Sequence, residues 1–223
     1  MSEWWTYRLE SFLLFSPRVY WRMFELHNAA LWPLQLATLA SGVVIVLLVL
    51  RRAPGHGTWI GLILGVLWAC VGWSFLWNRY AGINWAALYV APAFGLQGLL
   101  LAAAGASGGL ACDRRDVTGR LGLLLVASGL AYPLLAPLLG RPWISAEVFG
   151  VAPDPTAIAT LGLLVAAGGR WQPLLCPIPL SWLLLSGLTL RTMGEGQALV
   201  PLAAAGTAVA LLILRRAPSS TPA

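Results

Sequence analysis

The sequence has no lysine and only two histidines, although it contains 14 arginines. A retinal Schiff base needs a lysine amine, so a retinal protein is excluded. His27 precedes the first long apolar stretch and His56 lies between two of them, which excludes a membrane haem held by two histidines. Two histidines are also too few for histidine-rich zinc hydrolases or H-E-x-x-H proteases, and neither could serve a serine–histidine intramembrane protease. No P-loop or G-x-G-x-x-G motif follows a predicted strand.

Cysteine is scarce as well. Cys70, Cys112 and Cys176 are far apart, and no C-x-x-C spacing occurs. We interpret these cysteines as small apolar side chains, since this spacing suits neither a zinc site nor a redox pair. The sequence predicts no metal, no cofactor and no catalytic residue, and it favours a non-enzymatic role without excluding an enzyme.

Charge is rare throughout the chain. Only 10% of the residues are charged and 59% are hydrophobic, whereas about a quarter of a soluble globular chain is usually charged. The apolar runs are continuous and do not alternate with a period of two, so helices fit them and a β-barrel does not. The arginines cluster at the ends of apolar runs, which is typical of membrane topology and not of nucleic-acid binding. The sequence therefore predicts an all-α polytopic membrane protein whose main partner is the lipid bilayer.

Apolar stretches near the length that crosses about 30 Å of hydrocarbon recur along the chain. The six longest are 31–50, 58–77, 85–106, 121–139, 174–190 and 198–214. A seventh, from Pro155 to Gly168, covers only about 21 Å as a helix, so it is a short span, a tilted pair with its flanks or a re-entrant helix. Asp154 can cap it and Pro155 suits its first position. We predict about seven transmembrane helices, or one fewer if this segment is re-entrant.

The arginines predict the topology. If all the stretches cross, the loops on one side hold eight arginines: Arg51, Arg52, Arg114, Arg115, Arg120, Arg170, Arg215 and Arg216. The opposite loops hold Arg79, Arg141 and Arg191, and the N-terminal segment adds three more arginines and three glutamates to that side. By the positive-inside rule, the N-terminus is predicted to be outside and the C-terminus in the cytoplasm. A re-entrant seventh stretch would move Arg215 and Arg216 to the other side.

The N-terminal segment, residues 1–28, is predicted to lie at the membrane surface as one or two amphipathic helices. Its apolar residues recur at helical spacing and its charges fall on other faces, while Ser16 and Pro17 are a cap and first-turn signal. Residues 31–214 then form the transmembrane bundle and residues 215–223 a short cytoplasmic tail, within a single membrane domain.

Two residue types indicate packing within the bundle. Gly61 and Gly65, spaced as G-x-x-x-G, predict a close helix contact in the second stretch, and Gly65→Leu is expected to harm assembly. Trp68, Trp73 and Trp182 lie inside apolar stretches, and we expect them to pack in the core.

Ionisable residues are almost absent from the predicted spans, which argues against a proton-driven transporter. Polar residues concentrate in two loops on the predicted outer side. Arg79 and Asn84 lie in the first, and Arg141, Glu147 and Asp154 in the second. The functional interpretation is one shared pocket in which the arginines hold an anionic or polar group and a carboxylate acts as partner or base. The alternative is that these charges pair with each other and brace the loops.

Four motifs carry a resemblance to a known family. They are E-W-W-T-Y at 3–7, F-L-L-F-S-P-R at 12–18, R-Y-A-G-I-N-W at 79–85 and A-E-V-F-G-V-A-P-D-P-T at 146–156. Together they resemble a family of bacterial multi-spanning membrane proteins of unknown function, over nearly the whole chain. The resemblance implies a bacterial inner-membrane protein. It implies no activity, cofactor or catalytic residue.

Three functions remain open at this point. The first is a small membrane component that binds or transports a polar or anionic solute recognised at its outer face. The second is a non-catalytic subunit or scaffold that docks a membrane protein partner or a second copy of itself. The third is a lipid-modifying enzyme that uses Glu147 or Asp154, which predicts one of these acids in a lipid-accessible cleft.

Overall fold

The computed structural model describes residues 14–52, 54–110 and 116–216, and its architecture is all-α. The helices, in chain order, are α1 (Pro17–Leu31), α2 (Leu34–Arg51), α3 (His56–Cys70), α4 (Ala87–Ala106), α5 (Val117–Ala131), α6 (Leu135–Leu138), α7 (Pro153–Ala167), α8 (Gln172–Leu175), α9 (Pro177–Thr192) and α10 (Leu199–Arg216). A π-helical stretch, Val71–Trp77, continues α3. Six segments are long and apolar enough to cross a membrane, so the prediction of a multi-pass α-helical membrane protein is confirmed.

The helix pairs α3–α4 and α5–α7 run antiparallel, so the bundle has two opposite faces at which its helices begin and end. On α3 and α4, Gly61 lies beside Gly105 and Gly65 beside Gly98. On α5 and α7, Gly122 likewise lies beside Gly162. The ends of α2, α4, α7 and α10 therefore share one face with the starts of α3 and α5, and we call it the arginine face. The opposite face, formed by α1 and by residues 78–86, 139–146 and 193–198, is the loop face.

Glycine allows the closest of these helix contacts. A Cβ atom built on Gly98 would lie 2.5 Å from the backbone oxygen of Gly65, and one on Gly65 would lie 2.8 Å from the oxygen of Gly98. Only a residue without a side chain lets the two backbones approach so closely. The contact that the sequence predicts at Gly61 and Gly65 is thus present between α3 and α4.

The short helix α7 is the centre of the bundle, and all of its residues except the last are buried. With 15 residues it is about 22 Å long, too short to cross the hydrocarbon alone. The chain reaches the loop face at residue 139, and residues 146–152 then run from it into the bundle without helical structure before α7 begins. Gly150, at φ +75°, lies where a Cβ atom would be 2.9 Å from Thr38 of α2.

The C-terminal end of α7 reaches the arginine face. There Arg215 of α10 donates hydrogen bonds to the backbone oxygens of Val165 and Ala166, which the helix end leaves without internal partners. The seventh stretch therefore runs from the loop face to the arginine face as a composite, with a buried non-helical half followed by a helical half. Arg215 and the end of α7 accordingly lie on the same face as Arg51 and Arg52.

Two details of the sequence prediction are wrong. The helix α7 begins at Pro153 without a side-chain cap, so Asp154 does not cap it. The carboxylate of Asp154 instead accepts hydrogen bonds from α9 and from Tyr132, because these buried donors have no water to bond. Trp73 is 64% exposed because its side chain points away from the bundle, whereas Trp68 and Trp182 are buried as expected.

The helix α1 lies on the loop face and covers the buried non-helical segment. Ser16 caps its start and Pro17 occupies its first turn, as the sequence predicts. Its buried side includes Asn28, whose amide donates to the backbone oxygens of Ile144 and Ala146 at 2.7 and 2.8 Å. An amphipathic helix on this face is therefore confirmed for residues 17–31, while the predicted helical pattern before residue 14 lies outside the described residues.

Candidate functional site

A groove of about 890 Å³ opens on the loop face between α1 and the turn that follows α3. We call it the arginine groove. Its polar lining consists of Arg18, Arg22, Glu25, Asn78 and Arg79, and its apolar lining of Val19, Trp21, Met23, Leu26 and Ile83, together with Gly82. The spacing of residues along α1 produces this lining, because positions 18, 22 and 25 follow one side of a helix. The groove is therefore lined by both cationic and apolar side chains.

The charges in the arginine groove do not cancel. Arg22 pairs with Glu25 at 2.6 Å. Arg18 and Arg79 make no ion pair with any carboxylate in the ranges that the structure covers. Two guanidinium groups therefore remain for a ligand, and guanidinium binds carboxylate and phosphate oxygens through paired hydrogen bonds.

His27 lies on the buried side of α1 and adds no charge to the groove. It is 1% exposed, and its Nε2 donates to the backbone oxygen of Val151 at 3.4 Å. The pKa of His27 is lowered to about 4, chiefly by burial and in smaller part by the positive charge of Arg79, while the hydrogen bond to Val151 opposes this shift. The imidazole is therefore neutral at physiological pH, and its role is to hold α1 on the buried segment.

Beside the groove lies a second polar feature, which we call the buried acid cluster. Its outer part consists of Arg141, Gln197 and Glu147. The guanidinium of Arg141 donates to the amide oxygen of Gln197, whose nitrogen donates to Oε1 of Glu147 at 2.6 Å. The same guanidinium lies 3.4 Å from the ring centroid of Trp21, a cation–π contact.

The inner part of the buried acid cluster surrounds Asp154, which is 1% exposed. Its carboxylate accepts hydrogen bonds from Trp182 Nε1 and Ser186 Oγ, both at 2.7 Å, and from the hydroxyl of Tyr132 at 3.2 Å. Asp154 also lies in the first turn of α7, where the helix dipole favours an anion. Trp182 and Ser186 are near the middle of the span Gln172–Thr192, so this carboxylate lies deep in the bundle.

The two parts form one continuous hydrogen-bonded chain. Gln197 Nε2 also donates to the hydroxyl of Tyr132 at 3.0 Å, and Tyr132 in turn donates to Asp154. The chain thus runs from Arg141 at the loop face to Asp154 at depth. Such chains of buried polar groups in membrane proteins mark functional sites more often than packing defects, because each group is costly to bury.

The five site residues predicted from the sequence lie in different parts of the structure. Arg79 lines the arginine groove, whereas Arg141, Glu147 and Asp154 belong to the buried acid cluster. Asn84 serves its own turn, because its side chain accepts from the backbone nitrogen of Ala86 at 3.1 Å. Instead of one pocket there are two adjacent features, and Trp21 contacts both. The alternative of mutual charge pairing does not describe Arg141 and Glu147 either, since Gln197 lies between them.

Sequence reasoning missed the residues that connect the acids: Tyr132, Ser186 and Gln197. Each is a polar residue in or beside an apolar stretch, and that was the available signal. It was weak because single hydroxyl and amide groups in membrane helices commonly bond within their own helix or to a neighbour. Trp182 was expected in the core, but its indole nitrogen has a specific acceptor.

The chemistry of the site favours binding. Among the described residues no group of three or more histidine, cysteine, aspartate or glutamate side chains could hold a metal ion. The groove presents guanidinium groups that pair with no carboxylate in the described part of the chain, and the buried acid cluster is a continuous path of groups with exchangeable protons. Neither acid faces the lipid, since Glu147 is 2% and Asp154 1% exposed.

Comparisons with known proteins identify a family and no activity. Neither the curated proteins nor the solved structures include a match to this chain. One family model does match, over residues 17–221, and its description is Family of unknown function (DUF6064). The match extends from the start of α1 to beyond the end of α10, and so includes both the arginine groove and the buried acid cluster. The chain therefore belongs to the family of unknown function DUF6064.

Proposed function

We propose that this protein is a binding or transport component of a bacterial cytoplasmic membrane that recognises a small anionic solute in the arginine groove. The observation that carries the proposal is the pair of guanidinium groups, Arg18 and Arg79, that line a groove of about 890 Å³ without a carboxylate partner among the described residues. A dicarboxylate or a tetrahedral oxyanion matches such a pair in charge and in hydrogen-bonding geometry.

The orientation follows from charge. The arginine face carries the basic loop residues, so the positive-inside rule directs it toward the cytoplasm and the loop face outward. The arginine groove then receives solute from outside the cell, and the buried acid cluster extends from beside it into the bundle.

A lipid-modifying enzyme is the weaker alternative. It requires Glu147 or Asp154 in a lipid-accessible cleft, within reach of a substrate. Both acids are buried, and their hydrogen bonds go to Gln197, Tyr132, Trp182 and Ser186.

The proposal is tested by anion binding to protein in nanodiscs of neutral lipid. Calorimetric titration with sulfate, phosphate and succinate is expected to show saturable binding of at least one of them. Arg79→Ala is expected to weaken that binding by at least about tenfold, because a hydrogen bond between charged groups contributes about 1.5–3 kcal/mol. The thermal stability of the variant should remain near that of the unmodified protein.

Arg191→Ala is the matched control. Arg191 is an exposed arginine on the same face but outside the groove lining. Its removal lowers the net charge equally and should leave the affinity unchanged. Equal affinity in the Arg79 variant, or equal losses in both variants, would contradict a specific site. A collapse of stability in the Arg79 variant would support the bracing role.

A further inference from the structure

We propose that Glu147 is a proton-binding site, and that its proton is thermodynamically linked to anion binding in the arginine groove through Arg141 and Trp21. The linkage rests on the proposed function, whereas the proton site stands on the geometry of the buried acid cluster alone.

The two buried carboxyl groups are solvated very differently. Asp154 has three hydrogen-bond donors and the start of a helix, which together stabilise an anion. Glu147 has one donor, Gln197, on Oε1, and its Oε2 is buried without a partner. An ionised carboxylate with an unpartnered oxygen is costly to bury, and a neutral acid is much less so. Of the two acids, Glu147 therefore holds the proton and Asp154 the negative charge.

Charged groups of both signs surround Glu147. Asp154 of α7 is the nearby anion, and Arg141 from the preceding segment is the nearby cation. The other titratable groups that face this region are Glu195 next to Arg141, Tyr132 at the end of α5, Tyr20 of α1 and Tyr80 after α3. The proton of Glu147 therefore lies between a negative and a positive neighbour, and a change in either charge acts on it.

Arg141 is placed to respond to a change at Glu147. Its Nε and Nη1 atoms are buried and have no acceptor, and Gln197 holds it apart from the carboxyl group. When the O–H bond of Glu147 breaks and the proton passes to water, a carboxylate arises beside two unused N–H donors. Arg141 then pairs with Glu147 and weakens its contact with Trp21.

Trp21 carries this change to the groove. Its ring lies against Arg141, its Nε1 donates to Glu195 at 3.0 Å, and it lines the arginine groove. With Glu147 neutral, Glu195 is the acid that remains beside Arg141, and more of the positive charge of Arg141 adds to the field of the groove. With Glu147 ionised, the two charges cancel. The anion therefore binds more tightly when Glu147 is protonated, and by linkage the anion favours protonation of Glu147.

The proton itself is tested by infrared spectroscopy on the reconstituted protein. The unmodified protein is expected to show the C=O absorption of a buried protonated carboxyl group at neutral pH. Glu147→Gln should remove this band, while Glu195→Gln, the control at another glutamate near Arg141, should keep it. Absence of the band in the unmodified protein, or its persistence in Glu147→Gln, would overturn the proton site.

The linkage is tested with sulfate, whose charge is constant over the range in question. The affinity for sulfate is expected to fall by up to about tenfold per pH unit as the pH rises past the point where Glu147 ionises. Glu147→Gln, which imitates the neutral acid, should bind tightly throughout. An affinity of the unmodified protein that does not depend on pH overturns the linkage. If sulfate does not bind at any pH, the proposed function fails and the linkage fails with it. The proton site at Glu147 is then still decided by the infrared band.

Discussion

Replacing Asp154 with asparagine is expected to destabilise the protein by about 3 kcal/mol or more. Three donors converge on this carboxylate, from Tyr132, Trp182 and Ser186. An asparagine amide keeps one acceptor oxygen and presents an N–H₂ group where the carboxylate had its second oxygen. When the amide oxygen faces the Trp182 indole, the N–H₂ group replaces the oxygen that accepted from the Ser186 and Tyr132 hydroxyls, and these two charge-assisted hydrogen bonds are lost in a buried site. The loss should appear as a lower unfolding free energy of the purified protein in detergent.

Asp116→Asn is the matched control for this substitution. Asp116 caps α5 at the arginine face, where it is exposed and accepts from the backbone nitrogen of Gly119 at 2.9 Å. Asparagine caps helices about as well as aspartate, so a change of no more than about 0.5 kcal/mol is expected. Equal stability of the two variants would show that the carboxylate of Asp154 does not organise the bundle.

Gly98→Ala is expected to cost about 2–3 kcal/mol, although it adds a single methyl group. The new Cβ atom would lie 2.5 Å from the backbone oxygen of Gly65, so α3 and α4 would have to separate. A backbone atom in a neighbouring helix cannot rotate away as a side chain can. The measurement is again the unfolding free energy in detergent.

Gly95→Ala, on the same helix, should not lower the unfolding free energy and serves as the control. A Cβ atom at Gly95 meets nothing within 4 Å. Alanine in a helix is favoured over glycine by about 0.5–1 kcal/mol, so this variant should be unchanged or slightly more stable. If both substitutions had the same effect, the close packing of α3 on α4 would be refuted.

The spans and their order could be predicted from the sequence because lipid leaves a simple signal. Long uncharged stretches cannot lie in water, and arginines cluster at the ends of such stretches. The G-x-x-x-G spacing of Gly61 and Gly65 also predicted one helix contact, because few residue types allow two helix backbones to touch. These signals are local, and one sequence is enough to use them.

The buried non-helical segment could not be predicted in the same way. The stretch that contains Glu147 and Asp154 has the composition of a surface loop. The hydrogen-bond partners that stabilise these two acids in the interior are distant in sequence, at residues 132, 182, 186 and 197. A pattern with a fixed period cannot show such partners. Trp73 illustrates a related limit: it lies about 140° around the helix from Trp68, so both cannot face one neighbour, but only the packing decides which is buried.

The composite crossing by residues 146–152 and α7 is the central claim of this account, because it places the arginine groove and the buried acid cluster at one face. The direct test is labelling with a membrane-impermeant maleimide, in a background without native cysteines, of Arg191→Cys and Arg170→Cys. Both positions are exposed, and they flank the span from Gln172 to Thr192. In intact bacterial cells the maleimide should label the Arg191→Cys variant. It should label the Arg170→Cys variant only after the cells are permeabilised. Labelling of both variants in intact cells, or only of the Arg170 variant, would contradict the account.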